Sequence, residues 1–123
     1  MSDKHILLVE DEEIWRRLAI AELADLGLQI TEVADYGGAI EALKGGPYDL
    51  LIFDNTLQHN RNVSVELMQV ANLRQRPMPP VIVHSADLPR PIEEQVLSLG
   101  GEYVRKSGSS RVLRPVVVRL LKL

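Results

Sequence analysis

The sequence predicts an α/β sandwich built on a parallel sheet, and three observations carry that prediction. Short runs of β character at 6–9, 30–33, 50–53 and 81–83, with a weaker one at 103–104, alternate with stretches of helical periodicity. The runs at 6–9, 50–53 and 81–83 are apolar at every position, which suits strands covered by helices on both faces. Turn and cap residues such as Gly27, Gly45-Gly46-Pro47 and Gly100 fall at the joins.

Taken in order, Ile6-Leu7-Leu8-Val9 is the first strand. Residues 12–26 follow as a helix, with Trp15, Leu18, Ala19, Leu23 and Leu26 on one face and Gly27 at the C-cap. Glu22 falls in the same apolar stripe, which periodicity alone does not explain. After the second strand, Asp35 is placed to cap a helix carrying Ala39, Ile40 and Leu43. Leu50-Leu51-Ile52-Phe53 is the third strand, residues 65–73 the third helix, and Val81-Ile82-Val83 the fourth strand. Residues 91–99 form the fourth helix, with Pro91 in its first turn and Gly100 at its end. Tyr103-Val104 is the fifth strand. Ser109 or Ser110 is the expected cap of a last helix reaching Leu121, interrupted by Pro115.

The chain has 123 residues, the common size of one domain, so residues 1–123 are read as a single domain with one continuous core. A hydrophobic share of 46% and a charged share of 25% are those of a globular protein. No apolar run approaches the roughly 20 residues a bilayer requires, and the N-terminal residues lack a leader pattern. There is no cysteine, which removes disulfides, thiolate metal sites and a cysteine nucleophile, and the expectation is a cytoplasmic protein. A net charge of −3 argues against direct nucleic-acid binding. The output is expected to be a surface.

In a sheet of this kind the functional crevice lies beyond the carboxyl ends of the strands. Glu10, Asp11, Glu12 and Glu13 follow the first strand, and Asp54 follows the third. His84, Ser85, Ala86 and Asp87 follow the fourth strand, and Arg105 and Lys106 the fifth. Each residue alone reads as a turn, cap or surface side chain; their joint occurrence at one sheet edge does not. Two carboxylates about 4 Å apart repel by about 4 kcal/mol at an effective dielectric of about 20. Mg²⁺ relieves that cost and suits carboxylates, waters and phosphate oxygens. An aspartate can attack phosphorus to give an aspartyl-phosphate. Its three charged oxygens could then be met by Mg²⁺, the Lys106 ammonium and the Ser85 hydroxyl.

At these residues the chain resembles the receiver domains of two-component response regulators. The matching segments are Leu7-Leu8-Val9-Glu10-Asp11-Glu12, Tyr48-Asp49-Leu50-Leu51-Ile52-Phe53-Asp54, Val81-Ile82-Val83-His84-Ser85-Ala86 and Gly100-Gly101-Glu102-Tyr103-Val104-Arg105-Lys106. The resemblance implies a flavodoxin-like (βα)5 fold with strand order 2-1-3-4-5. It implies Asp54 as phosphoacceptor, and Glu10 and Asp11 as the acidic pair for Mg²⁺. Asp11, Asp54 and the Thr56 backbone carbonyl would bind the ion directly, with Glu10 acting through water. Ser85 is implied as the switch hydroxyl, Lys106 as the phosphate-pairing lysine, and Tyr103 as the aromatic coupled to the switch. The implied donor is a phosphohistidine on a sensor histidine kinase or phosphotransfer protein, in a phosphorelay of bacterial type. The domain would catalyse its own phosphorylation and dephosphorylation as a switch, without being a turnover enzyme. The fourth helix, fifth strand and fifth helix, spanning 91–99, Tyr103 and 111–121, would present the altered face to a downstream protein target.

The sequence also departs from the family pattern. Gln58 and Asn62 stand where proline and glycine are usual, in a polar loop that obscures the start of the third helix. Asn62 can replace glycine at positive φ. Ser107 follows Lys106 where a proline, often cis, is common; a non-proline cis bond costs about 2.5–4 kcal/mol, so trans is expected. Gly100 and Tyr103 are one residue closer than usual. Thr56 and Asp87 flank the expected path of water and are read as tuning phosphoryl lifetime. His59 and His84 lack a third ligand nearby and read as ordinary side chains, Trp15 as a core residue beside the acidic loop, and Arg111, Arg114, Arg119 and Lys122 as a solvated face. Three alternative readings compete with this one. A pseudo-receiver would keep the fold as a constitutive interaction module. A haloacid-dehalogenase-like phosphohydrolase would need a second aspartate two residues after Asp54, where Thr56 stands. A flavin site would need a phosphate loop where the acidic residues 10–13 lie.

Overall fold

A computed structural model describes residues 3–106 and 112–123. The strands are β1 (His5–Val9), β2 (Gln29–Val33), β3 (Leu50–Phe53), β4 (Val81–Ser85) and β5 (Glu102–Arg105). The helices are α1 (Glu13–Leu23), α2 (Tyr36–Leu43), α3 (Val63–Arg74), α4 (Arg90–Ser98) and α5 (Leu113–Leu121). All strand pairs are parallel, in the order β2-β1-β3-β4-β5. This is the flavodoxin-like arrangement expected from the sequence.

The period-two geometry of strands divides the core into two layers. Leu7, Val9, Leu51, Phe53, Val81 and Val83 point to the side covered by α2, α3 and α4. Ile6, Leu8, Leu50, Ile52, Ile82 and Val104 point to the side covered by α1 and α5. Each fully buried Leu or Ile contributes about 1.5–3 kcal/mol of transfer free energy. Every residue of β3 is buried, as its unbroken apolar run requires, whereas the edge strands β2 and β5 are only partly covered.

Several local expectations hold and others change. Asp35 caps α2, its Oδ1 accepting the Gly38 N–H at 2.6 Å. Gly27 closes the 3-10 turn after α1 at φ 68, where other residues would be strained. Leu18 is 47% exposed and so does not belong to the buried face of α1. Glu22 replaces it in importance: its Oε2 accepts the Arg114 backbone N–H at 2.6 Å. It therefore satisfies an orphan donor in the first turn of α5 from another helix. Arg114 also pairs with Asp25, and Arg119 with Glu102 at 2.6 Å, so the basic face of α5 is partly neutralised. Pro115 sits in the first turn of α5, where its missing N–H removes no helix bond. The expected cap at Ser109 or Ser110, the Lys106–Ser107 peptide and Arg111 lie outside the described residues.

The third helix begins at Val63, two residues earlier than the sequence suggested. Asn62 stands before it at φ 62, the left-handed conformation in which glycine is usual. Gln58 is at φ 57, which a proline ring cannot adopt. It is a corner of a tight turn closed by two backbone hydrogen bonds of 2.9 Å between Leu57 and Asn60. The loop therefore takes its own path.

Candidate functional site

The sheet carries its hydrogen bonding one residue past the strands, and this sets the site's frame. Glu10 N–H donates to Val33 O at 2.9 Å, Asp54 N–H to Val9 O at 3.1 Å, and Lys106 N–H to Ser85 O at 3.0 Å. Three reactive side chains are thus anchored by backbone bonds to the rigid sheet. A cavity of about 340 Å³ opens over them, lined by Asp11, Asp54, Thr56, Ser85, Lys106 and Arg61 among others.

Charges are concentrated below that opening. Lys106 Nζ lies 2.6 Å from Glu10 Oε1 and 2.8 Å from Asp54 Oδ2, with all three side chains at most 6% exposed. Burial first, then the Asp54 charge, pushes the Glu10 carboxyl up to about 8. Burial alone would lower the Lys106 ammonium, but its bonds to Asp54 and Glu10 outweigh that and raise it. Asp54 Oδ1 accepts the N–H of Asn55 at 2.7 Å and of Thr56 at 3.3 Å. Asp11 Oδ2 accepts the Gln58 N–H at 2.6 Å.

Carboxylate oxygens of Glu10, Asp11 and Asp54 lie within 4.8 Å of one another, the sole such metal-binding group among the described residues. A hard-oxygen donor set this crowded fits a small divalent cation. Neither His59 nor His84 joins the group. His84 is 7% exposed, and burial followed by the Lys106 charge lowers it to about 4, so its ring is neutral.

Ser85 and Tyr103 meet differently from a direct hydroxyl contact. Ser85 Oγ donates to the Asp87 carbonyl at 3.1 Å, while the Tyr103 hydroxyl donates to the Ser85 carbonyl at 3.2 Å. Periodicity and motif spacing missed two further features. Asn55, 2% exposed, accepts from Ser64 Oγ at 2.6 Å and donates through Nδ2 to Asn62 Oδ1 at 3.0 Å, bracing the turn behind Asp54. Its position beside Asp54 was the only signal. Trp15 is half-buried, and its ring centroid is 5.2 Å from Lys106 Nζ.

The family model described as the response regulator receiver domain matches residues 6–117. The chain belongs to that family. Receivers bind Mg²⁺ at an acidic pocket and act as signalling switches rather than turnover enzymes, within two-component signalling. A CheY-like receiver from Methanospirillum hungatei is 22% identical, with TM-score 0.84 over 98% of this chain and 95% of that one. A signal receiver domain from Clostridium thermocellum is 20% identical, with TM-score 0.85 over 99% and 100%. The response regulator TrrA from Thermotoga maritima, solved with Mg²⁺ and BeF, is 26% identical, with TM-score 0.79 over 95% and 98%. Among curated proteins, the transcription factor prr1 of Schizosaccharomyces pombe is 37% identical over 60 residues. That match covers 49% of this receiver and 11% of the yeast protein, so the chain spans only a small part of that relative. Among the described residues, no helix is long and apolar enough to cross a membrane.

Proposed function

We propose that residues 1–123 form one cytoplasmic receiver domain that accepts a phosphoryl group on Asp54 from a phosphohistidine, on a sensor histidine kinase or phosphotransfer protein, with Mg²⁺ present. The observation that carries this reading is the Asp54 carboxylate. It is 5% exposed yet opens onto the cavity, anchored to β1 by its own backbone and paired with Lys106 at 2.8 Å. The relative solved with Mg²⁺ and BeF supports the same chemistry.

In the forward step an Asp54 oxygen attacks phosphorus, the O–P bond forms, and the N–P bond of the donor breaks. The electron pair of that bond stays on the imidazole nitrogen. Asn55 and Thr56 N–H groups hold Oδ1, so the carboxylate meets the donor in one orientation. Lys106 follows the charge from the carboxylate to the phosphoryl oxygens, and Ser85 Oγ is free to leave the Asp87 carbonyl for the same group. Mg²⁺, held by Asp11, Asp54 and the Thr56 carbonyl with Glu10 through water, would supply charge neutralisation for carboxylates and phosphoryl oxygens alike. Dephosphorylation is a separate step: water attacks phosphorus, the Asp54 O–P bond breaks with its electron pair returning to the carboxylate, and inorganic phosphate leaves with the water's oxygen and proton; Thr56 and Asp87 line the cavity and tune that access. A new charge of roughly −2 draws Ser85 and Lys106 inward, and Tyr103 follows the Ser85 backbone. The α4, β5 and α5 face then changes for a downstream protein target, with no direct nucleic-acid contact and no membrane insertion.

A second reading, the pseudo-receiver, rests on the unusual loop after Asp54 and on the ion pairs beneath it. The Gln58 N–H already occupies Asp11, and Lys106 already bridges Glu10 and Asp54, so the pocket is internally satisfied. Intact mass after incubation with Mg²⁺ and acetyl phosphate separates the two. One labile phosphoryl group, absent in Asp54→Asn and after chelation, is expected for the receiver. No gain in mass and no beryllofluoride binding would make the constitutive module the correct reading.

A further inference from the structure

Lys106 is held from three directions. Two are the Glu10 and Asp54 carboxylates; the third is the Trp15 ring, 5.2 Å from the ammonium to its centroid. An ammonium within about 6 Å of an indole centroid is drawn to the negative face of the ring, more strongly when water is excluded. Water is largely excluded here, since the lysine side chain is only 4% exposed.

The ring has a second neighbour. Trp15 is the third residue of α1, and it meets the His84 ring edge-on, at 6.5 Å between centroids and 88° between planes. His84 is buried in β4 and directly precedes Ser85. A packed path thus runs from β4 through the first turn of α1 to the lysine that follows β5. Lysine is a point charge on a flexible four-carbon stem, so two carboxylates leave part of its motion free. Of its three contacts, only the ring carries no net charge and is no ligand for a hard cation, so a cation entering the pocket competes with the lysine for the carboxylates and not for the indole face.

We propose that Trp15 is a positioning residue for Lys106, its indole face holding the ammonium over Asp54 before a tetrahedral anion arrives. The consequence for phosphoryl transfer rests on the receiver reading of Asp54; the contact does not. Trp15→Leu keeps apolar bulk without a ring, and Trp15→Phe keeps a weaker ring. Two readouts are compared, with circular dichroism melts establishing that both variants are folded. One is the order of the Lys106 ε-methylene and ammonium in metal-free protein, by ¹³C and ¹⁵N relaxation. The other is beryllofluoride affinity with Mg²⁺, by ¹⁹F NMR.

The Leu variant is expected to lose lysine order and to bind beryllofluoride about 3- to 30-fold more weakly, with the Phe variant between it and the parent. A Leu variant with parental order and affinity overturns the proposal. So does equal loss in both variants, which marks a packing role alone. Lysine order lost in the Leu variant while no form, the parent included, binds beryllofluoride keeps the positioning role and defeats the receiver reading instead.

Discussion

Strand β3 carries an aspartate just before it and another just after it, and the two have opposite surroundings. Asp49 sits at the amino end, half-buried, where its Oδ2 accepts the His5 backbone N–H at 2.8 Å and its own N–H donates to His5 O at 2.7 Å. Nearby, the His5 ring bonds Thr31 Oγ1 at 2.7 Å and leans on Tyr48. There the carboxylate closes the strand ladder by accepting a backbone N–H, and the aspartate is a ladder terminus. Asp54, only five positions along the chain, is gathered with Glu10, Asp11 and Lys106. The difference comes from the direction of a parallel sheet. Its carboxyl end faces helix starts and the loops leading into them, where backbone N–H groups and positive dipole ends are available to anions. The same side chain is therefore structural at one end of the strand and chemical at the other.

Substitution at the two aspartates tests this contrast most severely. Asp54→Asn is expected to abolish the Mg²⁺-dependent gain of a phosphoryl group in intact mass, and Asp49→Asn to retain it. Like behaviour of the two variants would erase the distinction. Next in size is Lys106→Met, which leaves two buried carboxyls without their counter-charge. Loss of one partner of a buried ion pair costs about 3 kcal/mol at the lower end of the usual range. The lower end applies because burial already favours the protonated Glu10 carboxyl, so one of the two groups left behind is readily neutral. Urea denaturation in chelator would read the loss, and added Mg²⁺ should restore part of it. A variant as stable as the parent would show that the lysine contributes nothing to the metal-free fold.

A smaller effect is expected from Glu10→Gln. A group that acts on a metal through an outer shell typically changes affinity by about 10- to 100-fold, here read as a rightward shift of a Mg²⁺ titration followed by Trp15 fluorescence. An unchanged titration would remove Glu10 from the cation's surroundings. The smallest belongs to Glu22→Ala, remote from both aspartates. Loss of the carboxylate that caps α5 should cost about 1 kcal/mol in thermal denaturation while leaving Asp54 chemistry intact. A loss of activity there would mean that the placement of α5 reaches the site.

Much of the fold was legible because burial on both faces leaves a strong mark on short strands. Ile6 to Val9 and Leu50 to Phe53 are apolar throughout, and both are strands within a residue of their expected bounds. Asp35 and Gly27 were equally legible, since local caps depend on their own backbone. Helix faces were less so. Leu18 matched the apolar period of α1 yet is exposed, because the helix packs on α5 through a narrower stripe than periodicity implied. Glu22 looked like a misfit in that stripe for the opposite reason: its partner is the Arg114 N–H, 92 positions away in sequence. In the site, Glu10, Asp11, Asp54, Ser85 and Lys106 were all named from strand ends, and the sheet brings them to one edge. Asn55, Ser64 and the indole over Lys106 were not, because hydrogen bonds and ring contacts across a pocket have no period in the sequence.

Chain order, apolar runs and strand-end residues by themselves determined a parallel (βα)5 sheet with carboxylates, a hydroxyl and a lysine at its carboxyl edge. These are consequences of backbone periodicity and of the one-way direction of parallel strands. Only the tertiary structure decided which of those groups touch. It bridged Glu10 and Asp54 through Lys106, laid the ammonium against Trp15, turned Gln58 to a φ no proline can hold, and capped α5 from α1. Each of these is a contact of a few ångströms between elements far apart in sequence, set by how the helices pack on the sheet.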